Sequence, residues 1–212
     1  MAQRTVHYLF GEMISSQVLL SDKKRFLLGS ILPDAIDASS REISHFKVET
    51  RLHKYFDFEA FRNQYSAQIL QDDLYLGYYM HLVEDAFYRS FFYHSGFPMP
   101  RTRDEVKQLH QDYHILNAYV VRKYQLQNIL GTAFALSNTP LCHLTPFFID
   151  AFLKELSNDF MEQPQGQTTF ITAQMLDQFI DRFVPMAVEE VKSIKNGTSI
   201  LKAADFAWPA KR

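Results

Sequence analysis

Tyr75-Leu-Gly-Tyr-Tyr-Met-His-Leu-Val-Glu-Asp-Ala-Phe-Tyr-Arg89 is the stretch that decides the fold. Leu76, Met80, Val83, Phe87 and Phe91 recur at three- and four-residue intervals, the period of a helix that buries one stripe. His81 and Asp85 lie four apart on a different stripe, one turn above the other, so both side chains can reach one point. Imidazole nitrogen and carboxylate oxygen are the usual ligands of zinc and its divalent neighbours. A His and an Asp at this spacing are more often a surface contact, so the pair takes its weight from residues elsewhere in the chain.

Outward from this stretch, Asp72 and Asp73 begin the helix, and Ser95-Gly-Phe-Pro-Met-Pro100 breaks it after about His94. Upstream, the spacing predicts an amphipathic helix from Tyr8 to Leu20 and a second from Lys23 to Leu32, capped by Ser21 or Asp22. Pro33 ends the second helix, which leaves Asp34 on a rigid corner just beyond it. Residues 35–55 read as a long polar loop carrying His45, and Phe56 to Leu70 as a modest helix.

Downstream, Thr102-Arg-Asp-Glu105 has capping-box spacing and launches a helix to about Tyr124 that carries His110, Asp112 and His114. Ile129 to Leu136 reads as a short apolar helix and Ser137 to Pro140 as a turn. Thr145-Pro146 reads as the start of a helix running to about Ser157. Thr172 caps a last helix, Ala173 to Lys195, with Pro185 predicting a kink and Asn196-Gly197 a stop. Phe206 and Trp208 are expected to fold back on the body.

Composition agrees with an all-α, single-domain multi-helix bundle over residues 1–212. Aromatics at 15% and hydrophobics at 47% exclude disorder, while 7 Gly and 8 Pro are too few for a turn-rich β fold. A net charge of −2 offers no general attraction to nucleic acid, so none is expected as a partner. A single cysteine, Cys142, excludes an internal disulfide. No apolar run is long enough to span a membrane, and the first residues lack a signal peptide pattern; the expected location is cytoplasmic.

Thr5-Val-His7, then Leu-Leu-Gly-Ser-Ile-Leu-Pro-Asp34, then Ser44-His45-Phe46, then Gly77-Tyr-Tyr-Met-His81-Leu-Val-Glu-Asp85 stand in an order that resembles the zinc-dependent phospholipase C family. The likeness covers about the first 90 residues. It implies an all-helical bundle of that type holding two or three zinc ions that hydrolyse phosphate esters. It further implies that His7, His45, His81 and Asp85 ligate metal, and that Asp34 is a ligand or the base acting on metal-bound water.

Secreted members of the family use the processed N-terminal amine as a ligand, whereas here six residues precede His7. They also carry a later His-x-x-x-Glu pair, and none follows Asp85 here, the one such spacing in the chain being His45-Phe-Lys-Val-Glu49; the nearest substitute is His110-Gln-Asp112-Tyr-His114, one or two of which are expected to complete the site.

The chemistry expected is that of a metal-dependent phosphoesterase. A divalent ion lowers the pKa of its bound water from about 16 towards 7, and two ions about 3.5–4 Å apart can hold both attacking and leaving oxygens. Asp85 is placed to bridge such ions and Asp34 to accept the proton. Arg89, one turn beyond Asp85, either binds a phosphate oxygen of the substrate or forms a plain helix pair with Asp85. Zinc is the default metal, with manganese or iron as alternatives. A family member that binds metal or a partner without turnover is the second reading. An HD-type phosphohydrolase ranks below it, because no adjacent His-Asp occurs.

Overall fold

The computed structural model of the chain describes residues 3–94, 96–98, 100–131, 136, 139–162 and 164–210. The first helix, α1 (Arg4–Ser15), starts before Tyr8 and stops well short of Leu20. Burial decides its limits: Val6, Leu9, Phe10 and Ile14 enter the core, whereas Leu19 is 88% exposed. Helix α2 (Lys23–Ile31) follows, with the Asp22 carboxylate accepting from the Arg25 amide at 3.1 Å. A 3-10 turn, Leu32–Asp34, carries the chain round Pro33 and fixes the corner on which Asp34 sits.

The region read as a loop contains regular structure. Helix α3 (Arg41–Ser44) leads into strands β1 (Lys47–Glu49) and β2 (His53–Phe56), which pair antiparallel with Lys47 opposite Phe56. Strands of three and four residues are too short to show alternation. Their turn is closed by the Thr50 hydroxyl oxygen, which accepts from the amides of Leu52 and His53. The predicted helix from Phe56 to Leu70 is two pieces, α4 (Phe58–Gln64) and α5 (Ser66–Gln71), joined at Tyr65.

Helix α6 (Asp73–His94) is the axis of the molecule. It does not bury one stripe: every residue from Asp73 to Ala86 is buried. Its closest neighbour is α2, and two glycines explain why. A Cβ on Gly29 would lie 2.1 Å from the carbonyl oxygen of Leu74, and one on Gly77 would lie 2.1 Å from that of Phe26. Backbone therefore meets backbone, and no side chain fits at either position.

Helix α7 (Arg103–Lys123) starts with the expected capping box of Thr102 and Glu105. Beyond it, Ile129–Gly131 are not helical: the Ile129 amide donates to the Tyr8 hydroxyl at 3.1 Å, and Gly131 has φ 73°. The rest of the helix expected there falls largely on residues 132–135, outside the described residues, as do 137 and 138 of the expected turn.

Helix α8 (Ile149–Met161) begins later than Thr145-Pro146, because the Phe148 amide is tied to the Ala35 carbonyl at 2.7 Å. Helix α9 (Ala173–Lys195) is capped by Thr172, contains Pro185 and ends before Gly197 at φ 80°. Strand β3 (Trp208–Pro209) then returns to pair with β2, and Trp208 packs 5.1 Å from Phe56, ring centre to ring centre.

Among the described residues the buried apolar side chains form one cluster, with Phe10 set edge-on against Phe179 and Phe183. The architecture is mostly helical with a small three-stranded sheet. No helix of the described residues is long and apolar enough to cross a membrane.

Candidate metal centre

Five of the residues singled out from the sequence meet at one point. His7 comes from α1, Asp34 from the corner after α2, His45 from the end of α3, and His81 and Asp85 from α6. His7, His45, His81 and Asp85 are fully buried, and Asp34 keeps 13% of its side chain exposed. The glycine contact creates this convergence. With α2 pressed onto α6, the Ser30 carbonyl lies 2.8 Å from His81 Nδ1 and Asp34 is carried to the face of His7 and His45.

The tautomers follow from the outer partners. A carbonyl oxygen only accepts, so His81 Nδ1 carries the proton and donates to Ser30. His45 Nδ1 lies 3.1 Å from the Arg41 carbonyl and 2.8 Å from Ser44 Oγ, and donates to the carbonyl. His7 Nδ1 lies 2.7 Å from Glu84 Oε2. In a neutral ring each Nε2 is then a bare lone pair, and all three are aimed inward. The His45 and His81 Nε2 atoms are 3.3 Å apart, two acceptors face to face. A cation between them, or a proton carried by one ring, would relieve that opposition.

The carboxylates divide their oxygens. Asp34 Oδ2 is 3.7 Å from His7 Nε2 and its Oδ1 is 3.3 Å from His45 Nε2. Asp85 Oδ1 is 3.6 Å from His7 Nε2 and its Oδ2 is 3.6 Å from His45 Nε2. For bonds of about 2.0–2.1 Å, two ligand atoms of a tetrahedral ion are roughly 3.3–3.5 Å apart, so these separations suit edges of a coordination shell. They are long for hydrogen bonds. His7 Nε2 and both oxygens of Asp85 are buried and have no hydrogen-bond partner among the described residues. Buried polar atoms are nearly always satisfied, so unpartnered ones gathered here make the cluster a candidate cation site.

Electrostatics agree. Burial holds His7 below its ordinary value and takes His81 down to about 3, so both rings are neutral near pH 7. Burial also pushes the Asp34 and Asp85 carboxyls up, but the neighbouring histidines, His45 first for Asp34 and His7 first for Asp85, hold both below the usual range. A cation held by these residues would add to the positive charge that favours both carboxylates.

Glu84 is a residue the sequence reading passed over. It lies beside Asp85 on α6, is 2% exposed, and is the one carboxyl group among the outer partners of the three histidines. Its direct adjacency to Asp85 puts it on another side of the helix, which masked the link.

The residues expected from α7 do not join the cluster, and that expectation is corrected. Asp112 is buried elsewhere, its carboxylate accepting from the amides of Thr169, Phe170 and Ile171 at 2.9, 2.5 and 3.2 Å, where it ties down the approach to α9. His110 is exposed and stacks on Tyr113. His114 is also exposed; it comes near Asp159 and Glu162, but Asp159 is already held by Arg4 at 2.6 Å and by Thr5. The Asp85–Arg89 helix pair is not formed either. Arg89 lies over the Trp208 ring at 5.4 Å, and its Nε is buried without a hydrogen-bond partner among the described residues.

Over the cluster opens a cavity of about 520 Å³ whose walls include Asp34, Arg41, Arg89, His110 and His114. Asp34 is thus the one member of the five that faces it. Arg41 lies 3.3 Å from Asp34. Comparison with known proteins gives no matching family model, no matching curated protein and no matching solved structure.

Proposed function

We propose that this protein is a metal-dependent hydrolase of phosphate esters, of the zinc-dependent phospholipase C type. The observation that carries the reading is the meeting of three inward-facing Nε2 atoms with two carboxylates that divide their oxygens between His7 and His45. His7, His45, His81 and Asp85 would hold one or two divalent ions there, with Asp34 beside them. Zinc fits the donor set best; manganese or iron is the alternative. Bound divalent ions supply a water activated at neutral pH and a Lewis acid for the phosphoryl oxygen.

The chain's own residues supply the rest. Asp34, partly open to the cavity, would be a further ligand or the base that takes a proton from the attacking water. Arg89 has no carboxylate partner among the described ion pairs, so its guanidinium is available for a non-bridging phosphate oxygen. The buried rings of His7, His45 and His81 exclude bulk water from beneath the site.

Metal analysis of the purified protein, then hydrolysis of a chromogenic phosphodiester and phosphomonoester panel with and without chelator, tests this. Chelator-sensitive turnover with zinc at one or two ions per chain is expected. Protein that binds no divalent ion contradicts the reading. Stoichiometric metal without turnover on the panel favours the second reading, a metal- or partner-binding relative; the lack of a His-x-x-x-Glu pair after Asp85 and the structural use of Asp112 are what speak for it.

A further inference from the structure

A second cavity, about 310 Å³, adjoins the first across three shared walls, Arg89, Leu109 and Tyr113. The two differ in chemistry. The first is lined by carboxylate, guanidinium and imidazole groups, whereas the second is walled by Tyr88, Phe92 and Tyr93 of α6, Leu109 and Tyr113 of α7, and Phe170. Arg89 is the one charged side chain among the described walls of the second. The hydroxyls of Tyr88 and Tyr113 lie 3.3 Å apart and satisfy one another, which leaves ring faces and edges towards the space. Burial raises Tyr113 to about 12 and Tyr88 well above its ordinary value, so this wall carries no charge at neutral pH.

Resting on the phosphate-ester reading, we infer that this annex receives a flat, uncharged aromatic ring borne by the substrate's ester group, with Arg89 at the junction binding the phosphate. Aromatic walls prefer an aromatic guest, because edge-to-face and offset contacts add to the area buried. The volume sits at the small end of small-molecule sites, enough for a ring. Arg89 lines both cavities, so its guanidinium is placed to serve a group that lies across them.

Phosphonates test the annex without depending on turnover or on leaving-group reactivity. Binding of methylphosphonate, benzylphosphonate and cyclohexylmethylphosphonate to the zinc-loaded protein is measured by calorimetry. Benzylphosphonate is expected to bind roughly tenfold tighter than methylphosphonate and clearly tighter than its cyclohexyl counterpart. Val106 of α7 is a half-open wall of the same cavity, and Val106→Trp, which would fill it from that side, is expected to bring the benzyl-to-methyl ratio close to one. Equal affinity for methyl and benzyl forms in the wild type overturns the annex. Equal affinity for benzyl and cyclohexylmethyl forms overturns its preference for aromatic rings. Failure of every phosphonate to bind protein that does hold zinc overturns the phosphate reading instead.

Discussion

His7 Nδ1 lies 2.7 Å from Glu84 Oε2, with both side chains shut away from solvent, so the ring of α1 is oriented by a carboxylate of α6. A carboxylate behind a ligating imidazole fixes its tautomer and strengthens the opposite nitrogen as a donor. Glu84→Ala is expected to weaken metal binding about 10–100-fold. Glu84→Gln, whose amide oxygen can still accept from Nδ1, should lose less. Competition against a fluorescent chelator measures both; equal affinities for wild type and Glu84→Ala would show that His7 is not held through Glu84.

Acid should destabilise the metal-free protein. His7 and His81 are held low by burial, so below about pH 6.5 the unfolded chain binds two protons that the folded chain refuses. Glu84 acts in the opposite sense: burial, then Asp85 and Asp34, raise it, so the folded state keeps a proton that the unfolded state releases above about pH 4.5. Two protons outweigh one. Below about pH 4 the lowered Asp34 and Asp85 add to the loss. Urea midpoints of chelator-treated protein should therefore fall steadily from pH 6.5 to 4, and a flat profile would contradict neutral buried rings.

Gly77→Ala inserts a methyl group where the Phe26 carbonyl oxygen lies 2.1 Å away, backbone that cannot step aside without separating α2 from α6. Overpacking of this kind costs about 1–3 kcal/mol or more. Because α2 carries Ser30 and leads into Asp34, metal affinity should fall together with stability. Denaturant titration and metal titration on the same sample check the linkage. Gly197→Ala, at a position with open space around it but φ 80°, should cost stability without touching metal affinity.

Asp112→Asn separates structure from ligation. Its carboxylate serves backbone amides at residues 169–171, and an amide side chain cannot accept on both atoms. A loss of about 1–3 kcal/mol in stability is expected, with metal stoichiometry unchanged. Loss of a bound ion in this variant would return Asp112 to the metal centre.

Much of the site was legible because its spacing is local. His81 and Asp85 share a helix side whatever surrounds the helix, Pro33 places Asp34 at a corner, and the caps at Asp22, Thr102 and Thr172 stand where residue type alone predicts them. His110, Asp112 and His114 show where that logic stops. Spacing on one helix cannot tell which side faces the cluster and which faces the loop before α9.

What the chain determined by itself is the set of helices and the candidates they carry, since hydrogen-bonded turns, caps and apolar periods are short-range properties. What only the tertiary structure decided is which candidates share a point. The Gly29–Gly77 contact brings two backbones together, and that single approach positions Ser30 behind His81 and sets Asp34 beside His7 and His45. The hairpin, the strand at Trp208 and the partnership of His7 with Glu84 likewise join residues far apart in sequence, where no local period can reveal them.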